Sequence, residues 1–447
     1  MIANVSSLFA DPVRLTSVTG IALQVGRPFI TLVTIPMLTV ALGTEGLGLW
    51  MITLSFTGIL FLLNTGLSIA LVTFVARERE NPDHHGLNCV ISAATLIAFG
   101  LAVFLSLLLL PIVALVDWAR LLNANEIAVG DEVTGLMFAL VVLTVMNLAV
   151  VVPRQVMLGR LHGYISHISD FVGSVLGAVA LYVALLQEVS LAGLALAFLA
   201  PPPICMLIVG LTYLKTVRLT LFSRHHLSRE ILSKLGADSL RMLGYQTSFA
   251  VSSQSDILLV GIFFGPAASA VFGLAQRVFA FPIMLTSMVN HSQWPYLARL
   301  DVEDRLGELR RYFLKSLFWI SMAGLMSGVF VFFIYDALLD MWLGQTLETD
   351  NLLLMGMVVW VVVAASVNTL DSLLRARNET KFLMRAMMAM CVVNLSATIT
   401  LLPQIGPAGA IWGTVFGYVF CLFLPYCLRL YSALAAASDA PAKDAEL

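Results

Sequence analysis

Charge is what this sequence has least of. Asp, Glu, Lys and Arg make up 12% of its 447 residues, about half the share of an ordinary soluble domain. Cysteine is scarce as well. Cys89, Cys205, Cys391, Cys421 and Cys427 all fall in apolar stretches without metal-type spacing, so they read as core filling rather than a disulfide framework or a metal site. There is no alternation of apolar and polar residues of the kind an outer-membrane barrel needs. Also missing are the Gly-x-x-x-x-Gly-Lys phosphate loop, His-Glu-x-x-His and Gly-x-Ser-x-Gly. The histidines lie mostly in or beside polar breaks and do not pair with carboxylates at helical spacing. A net charge of −2 gives no reason to expect nucleic acid. These absences exclude a secreted scaffold, a disordered chain and a soluble enzyme on one anchor. A carrier needs no such chemistry and no cofactor of its own, so the silence favours transport and a non-enzyme over a membrane glycosyltransferase or ligase.

What is present in excess is apolar sequence. The apolar share is 59% and the mean hydropathy is +0.93, enough for about a dozen helices of about 20 residues. Twelve runs are separated by short polar breaks. The first six are 15–42, 47–76, 87–116, 133–152, 165–186 and 191–214; the next six are 240–265, 267–294, 312–334, 352–374, 382–402 and 408–433. With no water in the hydrocarbon, each should be a helix that satisfies its own backbone. The first 14 residues carry no cleavage motif, so the first run should stay as a helix. Counting sides over twelve spans puts 22 of the 25 basic residues at one face and only Arg120 at the other. The positive-inside rule then puts both termini in the cytoplasm. Arg27 and Arg277 are left within spans.

The runs form two copies of a six-span unit. A shift of 222 residues sets Gly43 on Gly265 and Phe74-Val75-Ala76-Arg77 on Tyr296-Leu297-Ala298-Arg299. Met157-Leu158-Gly159-Arg160 is echoed by Leu374-Arg375-Ala376-Arg377, and Leu191-Ala192-Gly193 by Pro407-Ala408-Gly409. An even number of spans per copy makes the copies parallel, about an axis along the membrane normal. The expected organisation is an N-terminal lobe 1–214, a basic cytoplasmic linker 215–237 lying on the anionic leaflet, and a C-terminal lobe 238–447.

Charges inside spans are costly and mark a pathway by default. Gln24, Arg27 and Thr31 share one helix face, and Arg27 lies about 18 Å deep by helical rise. It could pair with a carboxylate of another helix, Asp170 being the obvious one, or make a cavity cationic for an anionic substrate. Arg277 is the second candidate cation. In the seventh span Gln246, Ser253 and Asp256 share one side, broken by Ala250 and flanked by Gln254. That stripe faces either a wet cavity or a neighbouring helix as hydrogen-bond glue. Asn64 is a similar, weaker case. Asp371 and Arg375 are spaced for a salt bridge at a helix end. Gly173-x3-Gly177 and Gly413-x3-Gly417 allow close helix contacts, while Pro36, Pro201 to Pro203, Pro282 and Pro425 should kink or break their helices.

The hairpin LGTEGLGLWMITLSFTGILFLLNTGLSIALVTFVARE, Leu42 to Glu78, resembles the first hairpin of oligosaccharide flippases, the Wzx-type (O-antigen) branch of the multidrug/oligosaccharidyl-lipid/polysaccharide (MOP) exporter superfamily. SDILLVGIFFGPAASAVFGLAQRVFAF, Ser255 to Phe281, resembles the start of that family's second half, and RARNET, Arg375 to Thr380, its loop after the tenth helix. The resemblance implies an all-α polytopic membrane protein of the MATE/MOP-like type, with 12 transmembrane helices as two parallel six-helix lobes around a central cavity. It implies a flippase that moves undecaprenyl-diphosphate-linked oligosaccharide across a bacterial inner membrane for O-antigen and lipopolysaccharide assembly, often driven by a cation gradient of H+ or Na+. The membrane lipids and a polysaccharide polymerase machinery would be its partners. On this reading Arg27, Arg277, Gln24, Asn64, Gln246 and Gln254 line the cavity, and Asp170 and Asp256 are the candidates for cation coupling. Drug-exporting relatives have an acidic residue in the first span where this chain has Arg27, and the lipid-II branch is expected to have fourteen helices. A cation-coupled multidrug exporter is the alternative.

Overall fold

The computed structural model describes residues 12–62, 65–78, 85–122, 130–303, 305–344, 347–377 and 379–436. Every regular element among them is helical. In chain order these are α1 (Pro12–Leu62), α2 (Thr65–Glu78), α3 (His85–Leu115), α4 (Trp118–Leu121), α5 (Gly130–Gly159), α6 (Gly163–Leu186), α7 (Leu191–Leu199) and α8 (Pro201–Thr216). Then follow α9 (Arg229–Phe264), α10 (Pro266–Val302), α11 (Leu306–Leu343), α12 (Asn351–Ala376), α13 (Thr380–Ile405), α14 (Ala408–Gly417) and α15 (Leu424–Ala436). The wider π-helical turn Tyr418–Phe423 joins the last two.

Eleven helices among the described residues are long and apolar enough to cross a membrane. The sequence leads one to expect twelve, and the difference lies in α1. Its membrane-length stretch Phe29–Leu60 contains Gly43, whose backbone leaves the helical region at φ 66°, ψ −173°. The segments on either side of that break correspond to the first two expected spans. Gly265, the residue 222 places later, takes nearly the same conformation at φ 87°, ψ 173° between α9 and α10. A residue with a Cβ is strained there, so glycine is required at both positions. The duplicated glycine seen in sequence is therefore a duplicated backbone turn.

The chain divides into two compact units, Met1–Ala250 and Val251–Leu447. In the first, α5 packs against α2, α3, α7 and α8, and α6 against α7 and α8. In the second, α12 packs against α10, α11 and α14, and α13 against α14. The fourth helix of each repeat is thus the hub, and the fifth and sixth form a tight pair. The small-residue motifs sit at that pair in both units. A Cβ at Gly173 or Gly177 would meet the backbone of Pro202 or Phe198, and a Cβ at Gly413 would meet Thr398. Without a hydrophobic driving force inside the bilayer, such close approach is what holds helices together.

The prolines do not end their helices. At Pro201 to Pro203 the sixth span lacks backbone donors, yet Ala200 keeps helical φ −79°, ψ −34° and accepts from Ile204 N, so α8 continues the course of α7. Pro36 and Pro282 lie inside helices that continue through them, as membrane helices tolerate when neighbours repair the lost backbone bond. Helix ends follow ordinary capping chemistry. The Asp350 carboxylate accepts from Leu352 N, Ser190 Oγ accepts from Gly193 N, and Gly344 closes α11 in the left-handed conformation.

The basic linker is fastened rather than loose. Thr95 Oγ1 donates to Leu221 O at 2.8 Å, Thr220 N donates to Asn88 Oδ1 at 3.0 Å, and Ser223 N donates to Ser92 Oγ at 3.2 Å. Leu219 and Leu235 are buried with Leu87, Val90 and Ile91 of α3. The linker thus runs along α3 and becomes α9 at Arg229. The division between the compact units falls later, inside α9.

Candidate functional site

The most chemically distinctive site in the second unit is built around Asp256 on α9, which is 1% exposed. Thr414 Oγ1, on α14, donates to Asp256 Oδ2 at 2.5 Å, and Asn394 Nδ2, on α13, donates to that Thr414 oxygen at 2.7 Å. Thr398, one helical turn beyond Asn394, completes the cluster. The local sequence explains the approach of three helices. Gly413 and Gly417 have no side chains to hold α14 away from α13, so Thr414 reaches both Asn394 and Asp256. Asp256 Oδ1 and Asn394 Oδ1 are buried without a well-formed hydrogen bond among the described residues, although the Asn394 and Thr398 side chains lie beside the carboxylate. No ion pair to Asp256 exists among the described residues. The cluster therefore has acceptors in surplus and a formal negative charge in a low-dielectric interior. A proton or a small cation satisfies both deficits.

The other residues expected at a site are placed differently. Ser252 Oγ, beside the expected stripe, bonds Met390 Sδ. Ser253 and Gln254 are half-buried and have their own contacts. Gln246 is half-buried and belongs to the first unit. The Asp256 end of the stripe thus turns into the core of the second unit. Arg277, on α10, is half-buried and engaged with neighbours. The side chains of Gln24 and Arg27, and all of Asn64, lie outside the described residues. Thr414, Asn394 and Thr398 are not singled out by the sequence, although Thr414 directly follows a glycine of the Gly413-x3-Gly417 motif.

Asp170, the other acidic candidate, has a cation beside it. Arg154 Nη2 donates to Asp170 Oδ1 at 2.7 Å, with side-chain exposures of 28% and 7%. Arg154 was expected beyond the end of the fourth span, but α5 continues to Gly159 and carries it against α6. Structure thus separates the two carboxylates, one neutralised by an arginine and one not. Asp170→Asn leaves Arg154 without its partner in a partly buried place. It should cost about 1–3 kcal/mol, less than a fully buried pair because Arg154 reaches water. A thermal melt of the detergent-solubilised protein reads this, and an unchanged melting temperature would remove the pair from the stability account.

At the basic end of the first unit, His162 in the turn between α5 and α6 has its Nδ1 2.8 Å from the Tyr213 OH of α8. Burial, with Arg160 nearby, holds the His162 pKa below its usual value. A base whose folded pKa is depressed adds stability that is full above the unfolded value, about 6.5, and is lost as pH falls below it. Acidification from pH 7.5 to 5.5 should therefore lower the melting temperature, and His162→Gln should flatten that part of the profile.

Two repeated helical units, a shared glycine turn and a buried polar cluster define a multi-pass membrane protein of the MATE/MOP fold. An inward-facing multidrug-resistance MATE family transporter of the MOP superfamily superposes with a TM-score of 0.77 over 94% of this chain and 99% of its own, at 16% identity. The outward-facing form of such a transporter gives 0.63 over 96% and 97%, at 17% identity. A MOP superfamily transporter from Pyrococcus furiosus, described as having a binding pocket of reversed polarity, gives 0.63 over 96% and 97%, at 16% identity. At such identities the likeness concerns the fold. No curated protein matches in sequence. The family described as polysaccharide biosynthesis protein matches residues 17–301, and the chain belongs to that family.

Proposed function

We propose that this protein is a flippase that moves undecaprenyl-diphosphate-linked oligosaccharide repeat units from the cytoplasmic to the outer leaflet of a bacterial inner membrane by alternating access. The observation that carries the reading is the polysaccharide biosynthesis family match over residues 17–301, on a chain whose fold is that of MOP transporters. Chemistry supports it. A diphosphate needs cationic partners, and Arg277 with Arg27 supplies them within spans. Sugar hydroxyls need amides, and Gln24, Asn64, Gln246 and Gln254 are the candidates. Asp256 is the residue suited to couple H+ or Na+ to the cycle, since it is the carboxylate without a cation beside it. The protein works as a carrier and not as an enzyme, and hands its substrate to a polymerase machinery on the far side. Both termini are cytoplasmic on this reading.

Arg277→Ala should abolish surface polysaccharide, with lipid-linked repeat units accumulating at the cytoplasmic face and the protein still present in the membrane. Normal polysaccharide in that variant would end the role of Arg277. The fold likeness to multidrug exporters keeps one other reading in view. Deletion that sensitises cells to cationic dyes while leaving glycans intact would favour a cation-coupled exporter.

A further inference from the structure

In the second unit, α10 and α11 are consecutive helices joined by a short turn. Ser316 Oγ donates to Gln293 Oε1, and the rings of Tyr296 and Tyr312 lie 4.9 Å apart, which sets their antiparallel register. From that polar crossing a groove of about 500 Å³ opens between the two helices. Its walls are Leu285, Val289, Trp319, Ile320 and Ala323, and Lys315 stands at its polar end. The groove reaches from Gln293 to Leu285 on one helix and from Ser316 to Ala323 on the other. At 1.5 Å per residue that is about 12 Å, close to half of a hydrocarbon core about 30 Å thick. It therefore matches the depth of one leaflet. Leu285, Val289 and Trp319, which line it, are exposed, so the groove is reached from the side.

Charge at the polar end selects the occupant. Arg299 and Arg305 are paired with Glu303 and Glu308, and Arg377 is paired with Asp301. Arg310, Arg311 and Lys315 are exposed and have no ion pair among the described residues. An apolar trough of single-leaflet depth with the exposed, unpaired Lys315 at its polar end fits an anionic headgroup with an ordinary acyl chain. We propose that an anionic phospholipid of the leaflet at the basic face seats one acyl chain between α10 and α11, with its phosphate on Lys315. The site lies within one unit and stands apart from the proposed translocation of saccharide.

Native mass spectrometry of the delipidated full-length protein tests it, by titration with phosphatidylglycerol, phosphatidylcholine and undecaprenyl phosphate. The expected result is a phosphatidylglycerol adduct that falls about fivefold in Lys315→Gln, the effect of one surface charge on an anionic lipid. The adduct should also fall in Ala323→Phe, which fills the trough, and should be unchanged in Lys381→Gln. Lys315 is exposed, so Lys315→Gln keeps the fold and decides alone if Ala323→Phe does not fold. Equal adducts with phosphatidylcholine overturn the proposal, as does retention of phosphatidylglycerol in Lys315→Gln. Preferential capture of undecaprenyl phosphate overturns it too, by assigning the groove to the translocated lipid.

Discussion

Asp256→Asn severely weakens gradient-driven transport while the protein folds and inserts normally. The amide has the shape of the carboxylate and still offers Thr414 an oxygen to donate to. It brings no charge to neutralise, so it cannot take up a proton or hold a cation at physiological pH. Coupling free energies between two ligands usually amount to about 5- to 150-fold, and the loss of ion-driven transport should fall in that range. Stability should be unchanged or rise, because a buried charge without an ionic partner is replaced by a neutral group. Transport into proteoliposomes under an imposed H+ or Na+ gradient, measured beside a thermal melt, reads both. Full gradient-driven transport by Asp256→Asn would sink the coupling role. The contrast with Asp170→Asn sharpens the test, since that change should lower stability and leave coupling in place.

The second large effect concerns glycine. Gly177→Leu and Gly413→Leu should each reduce the folded protein in the membrane severalfold. At Gly177 a new Cβ meets the Phe198 carbonyl, which is backbone and cannot swing aside. At Gly413 it meets both the hydroxyl and the backbone nitrogen of Thr398. The helices must part, at a cost of about 1–3 kcal/mol, towards the upper end because backbone atoms are met. At Gly413 the parting also separates Asn394 from Thr414. Gly100→Leu is the control, because a Cβ there meets nothing within 4 Å. Fluorescence-detected size exclusion compares the three variants, and equal monodisperse peaks would show that the fifth–sixth and eleventh–twelfth pairs do not need close approach.

The helices were legible in the sequence because hydrocarbon leaves the chain no other way to satisfy its backbone. The repeat was legible for the same reason a turn is, since Gly43 and Gly265 hold a conformation that other residues resist. What composition could not say was which face of a helix meets which neighbour. The apolar run ends at Val152 and so leaves Arg154 beyond its span, yet α5 runs on past Pro153 to Gly159 and brings Arg154 to Asp170. The stripe of Gln246, Ser253 and Asp256 is real as periodicity. Its Asp256 end meets two other helices rather than water, and those partners lie about 140 and 160 residues away in the chain. Thr414 and Asn394 are ordinary residues for such spans, and only packing makes them part of a site. The linker, read as a strip on the leaflet, is held on α3 by bonds to backbone groups that no residue pattern advertises.

That last attachment bears on assembly. Two molecules exchange homologous parts when the segment joining the parts has slack enough to reach across. Here the joining segment is pinned along α3 through Leu221, Thr220 and Ser223, and it passes without a break into a helix of 36 residues. Little free chain remains to pay out. Each polypeptide should therefore complete its own pair of units, and dimers formed by swapping halves should be rare even when the protein is expressed at high density.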